Sequence, residues 1–253
     1  MPVPPLVIAH RGDSAHRPEN TLAAYVSALE LGASAVEIDV QLTRDGHVVV
    51  IHDPTLDRTT SGSGDVRRLT LAEVRAVSAG YPSRFGSDFQ GEHVPTLAEV
   101  LTLLRDRART MIEIKKESVT DDEAGGLEAL TVAEVRRLGV ADKVALISFD
   151  QRAIVRLRRL APEISRGRIF SRTTPQALLA EAQASGSEVV LPHKSQLSDE
   201  LVSIAKAAGI KVATWVVDEP EELKQLARFN LYGVGSNRPG VLLDAIADGI
   251  LSS

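Results

Sequence analysis

One pattern repeats eight times along this chain: a short apolar run with strand character is followed by an amphipathic segment with helical character. The apolar runs occupy residues 6–10, 35–42, 110–115, 144–149, 165–170, 188–192, 211–217 and 231–236. Strict alternation of strands and helices predicts a parallel sheet, and eight such units predict that the sheet closes into a barrel. We therefore expect an α/β fold in which residues 1–253 form a single (β/α)8 TIM-barrel domain.

An open, doubly wound sheet is the alternative arrangement for alternating strands and helices. Such folds usually have fewer strands and place a glycine-rich phosphate loop directly after the first one. Here the first strand runs into Ala9-His10-Arg11-Gly12, which lacks that glycine spacing, so the closed barrel is favoured. The first helix is expected to begin with Asn20 as its N-cap.

One segment interrupts the alternation. Arg44-Asp45-Gly46 indicates a tight turn and residues 47–52 return as a strand, so residues 35–52 predict a hairpin. The residues that follow, about 54–93, are rich in Gly, Ser and Arg and form too long a stretch for an ordinary loop. We expect a small insertion after the second strand, lying over one mouth of the barrel.

The composition is that of a soluble globular protein and excludes several functional classes. A formal net charge of −5 argues against general nucleic-acid binding, which would need a basic face, although local charge at a site can still suit an anionic substrate. Cysteine is absent, which excludes a disulfide framework and a cysteine nucleophile. Because the chain has neither a signal-peptide pattern nor an apolar run near the roughly 18 residues of a membrane helix, we expect a cytoplasmic protein without stable membrane insertion.

Three carboxylates are expected to face the barrel interior from neighbouring strands. Glu37, Asp39 and Glu113 each alternate with apolar residues along their strands. Two unit charges about 4 Å apart repel by roughly 4 kcal/mol at an effective dielectric of about 20, so the cluster must bind a cation, pair with basic groups or hold protons. An all-oxygen site favours one divalent cation, Mg²⁺ or Ca²⁺. The alternative is an inward salt-bridge network with Arg11 and Lys115.

Other candidate residues lie at strand ends, where barrel enzymes place their active sites. His10 ends the first strand, and His52 ends the returning strand of the hairpin. Trp215 shares strand parity with Ala213, which points its ring into the barrel. Core packing and a wall for the carbon skeleton of a substrate are both open for this ring.

The motifs resemble those of the glycerophosphodiester phosphodiesterases, a family of TIM barrels with an insertion after the second strand. Residues 10–21, which begin with His-Arg-Gly and end with Pro-Glu-Asn-Thr, are closely similar to the signature of that family. Further similar segments are 37–46, 50–60, 95–101, 113–115, 147–150 and 214–217. The resemblance covers nearly the whole chain, and several motifs agreeing in order make it specific.

The resemblance also implies roles for individual residues. It implies a divalent ion held by the three carboxylates, Glu37, Asp39 and Glu113. It implies an acid–base pair formed by the two strand-end histidines, His10 and His52. Phosphate oxygens would be bound by two cations, Arg11 and Lys115, and Trp215 joins these as a candidate substrate contact.

One departure from the family pattern lies at the end of the last strand. The family usually has Asp-Gly-Ile-Ile-Thr-Asp-Arg-Pro, whereas residues 234–239 read Val-Gly-Ser-Asn-Arg-Pro. We expect the exchange of Asp for Asn237 to affect a structural or rim contact and not the catalytic residues.

The favoured function is metal-dependent hydrolysis of a small glycerophosphodiester to glycerol 3-phosphate and an alcohol. A lysophospholipase D-like cleavage of lysophospholipids is one alternative, and it would need an apolar patch at the barrel mouth. A non-catalytic phosphodiester-binding barrel is the other. The residue pattern leaves open which histidine is the acid, whether water or a substrate hydroxyl attacks, and the oligomeric state.

Overall fold

The strands close into the predicted barrel. The structure, a computed structural model, describes residues 4–251. Its strands are β1 (Leu6–His10), β2 (Ala35–Leu42), β3 (Val48–Val50), β4 (Arg109–Ile114), β5 (Val144–Ser148), β6 (Ser165–Phe170), β7 (Val189–Pro192), β8 (Lys211–Thr214) and β9 (Gly233–Ser236). All except β3 pair in parallel, in the order β1-β2-β4-β5-β6-β7-β8-β9 and back to β1. The (β/α)8 prediction is therefore confirmed.

In the described part of the chain, eight helices surround the barrel, and two short ones belong to the segment after β3. The surrounding helices are α1 (Leu22–Glu30), α4 (Leu97–Leu104), α5 (Leu127–Leu138), α6 (Gln151–Leu160), α7 (Pro175–Ser185), α8 (Asp199–Ala207), α9 (Pro220–Leu226) and α10 (Pro239–Ala247). The short helices are α2 (Leu71–Arg75) and α3 (Pro82–Phe85). Within residues 4–251, no helix combines the length and the apolar character that crossing a bilayer requires.

Side-chain alternation along the strands separates two buried layers. Val36, Ile38 and Val40 of β2 pack outward against helices in one apolar cluster. The interior layer contains Ile8, Met111 and other residues of alternate parity, while Glu37 and Asp39 occupy interior positions on β2. This period of two is the strand geometry on which the sequence predictions depended.

Two local predictions differ from the structure. The N-cap of α1 is Thr21, whose side chain accepts a hydrogen bond from the Ala24 backbone, so the assignment to Asn20 was wrong. Asn20 instead has a left-handed backbone with φ of 60° and directs its side chain to a buried carboxylate described below. Strand β8, predicted for residues 211–217, ends at Thr214, and beyond it Trp215 makes an isolated parallel bridge to His193.

The hairpin and the segment after it form as expected. Strand β3 pairs antiparallel with the end of β2, and α2 begins with a capping box in which Thr70 and Glu73 exchange hydrogen bonds. The segment has its own apolar cluster, which includes Val49 and Ile51 of the hairpin. Arg84 donates hydrogen bonds to the backbone carbonyls of Ser14 (2.9 Å) and Ala15 (2.7 Å), which joins the segment to the loop after β1.

Candidate active site

A cavity of about 190 Å³ opens where the parallel strands end at their carboxyl termini. Barrel enzymes place their active sites at this end because the βα loops converge there. Ionisable residues line one part of the cavity: His10, Arg11, Glu37, His52 and Glu113. Apolar residues line most of the rest: Ile8, Met111, Ile147, Phe149, Ile169, Leu191 and Trp215. The charged half comes from β1 to β4 and their loops, and the apolar half mainly from β5 to β8.

The three predicted carboxylates meet in the charged half. One oxygen from each of Glu37, Asp39 and Glu113 lies within 4.8 Å of the others, and all three residues are buried. The pairing of β2 with β4 places Asp39 directly opposite Glu113, which explains their proximity. Such a set of oxygens is typical of a site for Mg²⁺ or Ca²⁺. The residues present therefore fit a hard divalent cation.

The carboxylates of this triad differ in their affinity for protons. Burial raises the pKa of Glu37 well above its ordinary value, and the charges of Asp39 and Glu113 raise it further. Burial, together with the charge of Asp39, also raises the pKa of Glu113 to about 7. Although burial opposes it, the cations Lys115 and Arg11 hold the pKa of Asp39 well below its ordinary value. The cation-free triad therefore retains protons near neutral pH.

This proton affinity predicts a pH-dependent stability for protein stripped of divalent cations. A carboxyl whose folded pKa is raised stabilises the fold below its unfolded pKa and loses that contribution as pH rises through its folded pKa. Raising the pKa of Glu113 from 4.5 to about 7 therefore costs stability between about pH 5 and pH 8, on the order of 3 kcal/mol. We expect the Tm in chelator to fall by several degrees across this range.

Thermal denaturation from pH 5 to pH 8 measures this fall. Glu113→Gln is the matched variant, since it removes one of the two carboxyls whose pKa is raised and should make the curve flatter than that of the wild type. Added Mg²⁺ or Ca²⁺ should raise the Tm most at the alkaline end, where the carboxylates are least protonated. Identical pH profiles for the wild type and Glu113→Gln would contradict the prediction.

The two predicted histidines flank the cavity and have different partners. His10 Nδ1 lies 2.8 Å from Asn237 Oδ1, and its Nε2 lies 4.0 Å from Glu37 Oε2. Burial, followed by the charge of Arg11, lowers the pKa of His10 to about 4. His52 Nδ1 lies 2.6 Å from Asp53 Oδ1. One ring therefore has an amide partner and the other a carboxylate.

Arg11 and Lys115 are both tied to the carboxylates. Arg11 lines the cavity, and its Nε lies 3.1 Å from Asp39 Oδ2. Lys115 Nζ lies 3.3 Å from Asp39 Oδ1 and 2.7 Å from Glu113 Oε1, and this residue is not among those that line the cavity. The salt-bridge network that was the alternative to a cation site is therefore present. It involves the same carboxylates that fit a cation.

Two charged residues that were not predicted from the sequence, Glu19 and Arg58, connect Arg11 to the Asp53–His52 pair. Glu19 accepts hydrogen bonds from Arg11 Nη1 (2.8 Å) and from Arg58 Nη1 and Nη2 (2.8 and 2.9 Å). Arg58 also donates to both oxygens of Asp53, at 2.7 and 2.9 Å, and these bonds lower the pKa of Asp53 to about 2. Asn20 donates to Asp39 at 2.8 Å. The Pro-Glu-Asn-Thr and Leu-Asp-Arg-Thr motifs contained these residues without indicating their partners.

Trp215 lies in the cavity wall, where strand parity had placed it. Its Nε1 donates to the Leu191 carbonyl at 3.0 Å, and its ring meets Phe149 edge-on with 5.7 Å between centroids. His193 packs against the same ring at 5.1 Å. The indole is thus fixed in orientation, with part of its surface available to a bound molecule.

Comparison with known proteins agrees with this geometry. A model of the glycerophosphoryl diester phosphodiesterase family matches residues 10–241. The chain belongs to this family. Family membership makes it a phosphodiesterase, a phosphoric diester hydrolase. A glycerophosphodiester phosphodiesterase of Caldanaerobacter subterraneus is 36% identical over 249 residues, which cover 96% of this chain and 98% of that protein. A probable glycerophosphodiester phosphodiesterase 1 of Mycobacterium tuberculosis is also 36% identical and covers 97% of this chain and 93% of its own length.

Solved structures give the same result for the fold. A phosphodiesterase of Oleispira antarctica, determined in complex with the product sn-glycerol-3-phosphate, superimposes with a TM-score of 0.88 at 34% identity. The match covers 96% of this chain and 97% of that one. A putative glycerophosphoryl diester phosphodiesterase of Silicibacter pomeroyi gives a TM-score of 0.87 at 28% identity, over 99% of this chain and 95% of the other.

Proposed function

We propose that this protein hydrolyses small glycerophosphodiesters to glycerol 3-phosphate and an alcohol, using a divalent cation and two histidines. The observation that carries this proposal is the meeting of His10, His52 and the carboxylate triad around one cavity. The Oleispira relative, which binds sn-glycerol-3-phosphate, supports the choice of product. A non-catalytic binding barrel would not need two histidines at one cavity, one hydrogen-bonded to an amide and the other to a carboxylate.

The charge balance of the site supports a divalent cation. The connected network contains five carboxylates and three permanent cations: Glu19, Glu37, Asp39, Asp53, Glu113, Arg11, Arg58 and Lys115. Fully ionised, this set has two excess negative charges, which one divalent cation would neutralise before an anionic substrate binds. Glu37, Asp39 and Glu113 would hold Mg²⁺ or Ca²⁺. When bound, such an ion supplies Lewis-acid polarisation of a phosphoryl oxygen.

The chain contributes the remaining charge stabilisation and the proton transfers. Arg11, at the cavity wall, lies where it can balance negative charge that develops on the phosphoryl oxygens, and Lys115 adds positive potential from behind the triad. His10 has a neutral partner and a lowered pKa, so it suits removal of a proton from the nucleophile. His52 Nδ1 has a carboxylate partner, Asp53, which orients the ring, so we assign to His52 the protonation of the leaving alkoxide.

The size and lining of the cavity favour a small substrate. A volume of about 190 Å³ lies below the roughly 300–1,000 Å³ of pockets that enclose drug-sized ligands. The apolar half, including Trp215, offers a surface for the carbon atoms of glycerol. The aromatic rings of the insertion lie outside the cavity lining, and arginines cover them: Arg58 on Tyr81, Arg84 on Phe85 and Arg17 on Phe89. The three rings do contact one another edge-on, with centroids 6.2 Å apart for Tyr81 and Phe85 and 5.4 Å apart for Phe85 and Phe89. Because a guanidinium lies over each ring, we do not assign to this cluster the apolar rim that an acyl chain would need.

The small, partly apolar cavity predicts a preference for deacylated substrates. We expect a higher kcat/KM for glycerophosphocholine than for lysophosphatidylcholine, because the small cavity offers an acyl chain little surface. The comparison is direct, since the two compounds share the phosphocholine group and differ only in the acyl chain. Burying apolar surface is worth roughly 25 cal/mol per Å², so a site built for acyl chains would favour the acylated compound by several kcal/mol. Side-by-side kinetics below the critical micelle concentration of the lysophospholipid decide between them. A clear preference for the acylated substrate would instead support a lysophospholipase D-like activity.

We further propose that residues 1–253 act as one catalytic domain, with the insertion at about 54–93 as part of it. The Arg84 and Arg58 contacts between the insertion and the loop after β1 support this view. A cytoplasmic location, with no nucleic-acid partner, remains the accompanying proposal.

A further inference from the structure

Asn237, the position at which this chain departs from the family pattern, lies directly against His10. From the sequence, this departure was expected to affect a structural or rim contact and not the catalytic residues; that expectation was wrong, because Asn237 contacts a proposed catalytic group. Asn237 Oδ1 lies 2.8 Å from His10 Nδ1 and 3.0 Å from the Ser14 hydroxyl. On its other side, the amide of Asn237 meets Asp218, in the loop after β8: Nδ2 donates to Asp218 Oδ2 at 2.9 Å.

The contact with Asp218 fixes which end of the Asn237 amide faces His10. An ionised carboxylate only accepts hydrogen bonds, so the NH2 group of Asn237 must point to Asp218 and its carbonyl oxygen must point to His10. The backbone N–H of Asn237 also donates to Asp218 Oδ1, at 2.7 Å, and the Ser236 hydroxyl donates to the same oxygen at 3.1 Å. Asp218 is therefore held in place by three donors.

The orientation of the amide in turn fixes the tautomer of His10. A carbonyl oxygen accepts, so His10 Nδ1 must carry the proton in the 2.8 Å contact. In the neutral ring, Nε2 then has a free lone pair, on the side of Glu37. The other tautomer would set the Nδ1 lone pair against the Asn237 oxygen.

We propose that Asn237 and Asp218 act as a reciprocal positioning pair, which keeps His10 in the tautomer whose Nε2 accepts a proton. The pair needs one amide and one carboxylate, and either position can hold either group. This inference rests on the proposed role of His10 as the proton acceptor.

The reciprocity explains how the family departure is tolerated. An aspartate at position 237, opposite Asp218, would place two carboxylates in contact where one hydrogen bond now stands. If position 218 also became asparagine, its amide nitrogen would donate to the new carboxylate, and its oxygen would still accept from the backbone of residue 237 and from Ser236. The carboxylate at position 237 would still accept from His10 Nδ1. Relatives with aspartate at this position are therefore expected to have a donor, such as asparagine, at the position of Asp218.

The test is a double-mutant cycle of Asn237→Asp and Asp218→Asn, assayed on glycerophosphocholine with Mg²⁺. Each single change should lower kcat at least about tenfold, for different reasons. Asp218→Asn lets the Asn237 amide turn its NH2 group toward His10, and a histidine in the wrong tautomer can lose up to about 10⁴-fold in rate. Asn237→Asp sets two carboxylates against each other at the 2.9 Å contact, and their repulsion displaces residue 237 from His10. The double variant should recover at least about tenfold over Asn237→Asp, which independent effects cannot produce. Asn230→Asp is the matched control, since it adds the same charge at the opposite end of the barrel, before β9.

Ring ¹⁵N NMR of His10, assigned by its loss in His10→Gln, reads the tautomer without any assay of activity. The wild type should show a protonated Nδ1 and an unprotonated Nε2. The inference is overturned if the wild type shows the opposite tautomer, if Asn237→Asp keeps wild-type kcat, or if the double variant is no better than this single one. An inactive wild-type enzyme with the expected tautomer would contradict the proposed function alone.

Discussion

Exhaustive chelation of divalent cations is expected to abolish activity, and Mg²⁺ or Ca²⁺ should restore it. The reason is the carboxylate triad, whose oxygens lie within 4.8 Å of one another and whose surrounding network has an excess of negative charge. An ion that binds only the folded state should also raise the Tm, since a hundredfold excess over its Kd adds about 2.7 kcal/mol of stability. Release of glycerol 3-phosphate and thermal denaturation, both followed across a metal titration, measure the two effects.

The triad variants separate this explanation from general salt effects. Asp39→Asn and Glu113→Gln should each weaken the metal-dependent rise in Tm. Glu117→Gln is the matched control, because this residue lies just after β4, the strand that carries Glu113, and outside the triad and the cavity lining. Full activity in chelator, with an unchanged Tm, would show that the triad serves only as a salt-bridge network.

Replacing either catalytic histidine candidate is expected to lower kcat by about 10²- to 10⁴-fold, the range for general acid–base catalysis. His10→Ala and His52→Ala should differ in their dependence on the leaving group. With a p-nitrophenyl ester of glycerol phosphate, the phenolate leaves without a proton, so His52→Ala should recover most of its loss. His10→Ala should stay impaired, because activation of the nucleophile is still required.

Steady-state kinetics on this ester and on glycerophosphocholine provide the comparison. His47→Ala is the matched control, since it lies in the turn of the same hairpin with its side chain 52% exposed. The metal-dependent rise in Tm should survive in both variants, because neither histidine belongs to the triad. Recovery of His10→Ala in place of His52→Ala would reverse the assigned roles, and near-normal turnover in both would exclude the two-histidine mechanism.

The barrel and the residues at its strand ends were predictable because both follow from local periodicity. A strand period of two placed Glu37 and Asp39 on the interior face, and parallel strands bring their carboxyl ends to one mouth. His10, His52 and Trp215 follow from the same rule, since each lies at or just beyond a strand end. The turn at Arg44-Asp45-Gly46 and the count of eight strand–helix units supplied the rest of this prediction.

The partners of these residues were not predictable, because they are chosen by tertiary packing. Arg58 reaches Glu19 across 39 positions, and Asn237 reaches His10 across 227. Asn20 shows the limit most clearly: its type and place suggest a helix N-cap, yet burial of Asp39 beside it draws the side chain away from the helix. The hydrogen-bond partners of buried carboxylates depend on which loops lie next to each other in the fold. Local sequence does not determine those contacts.

The strands that line the cavity divide into β1–β4, which carry its ionisable residues, and β5–β8, which carry most of its apolar residues. Substitutions in the two groups of strands should therefore have different effects. Substitutions at Ile147, Ile169 or Leu191 would reshape the space around a substrate and leave every ionisable group of the site in place. A mutant library confined to β5–β8 would therefore change how the carbon atoms of the substrate are packed while the chemistry stays constant. The same number of changes on β1–β4 would mostly yield inactive barrels. Changes in substrate range are thus expected from β5–β8, and loss of activity from β1–β4.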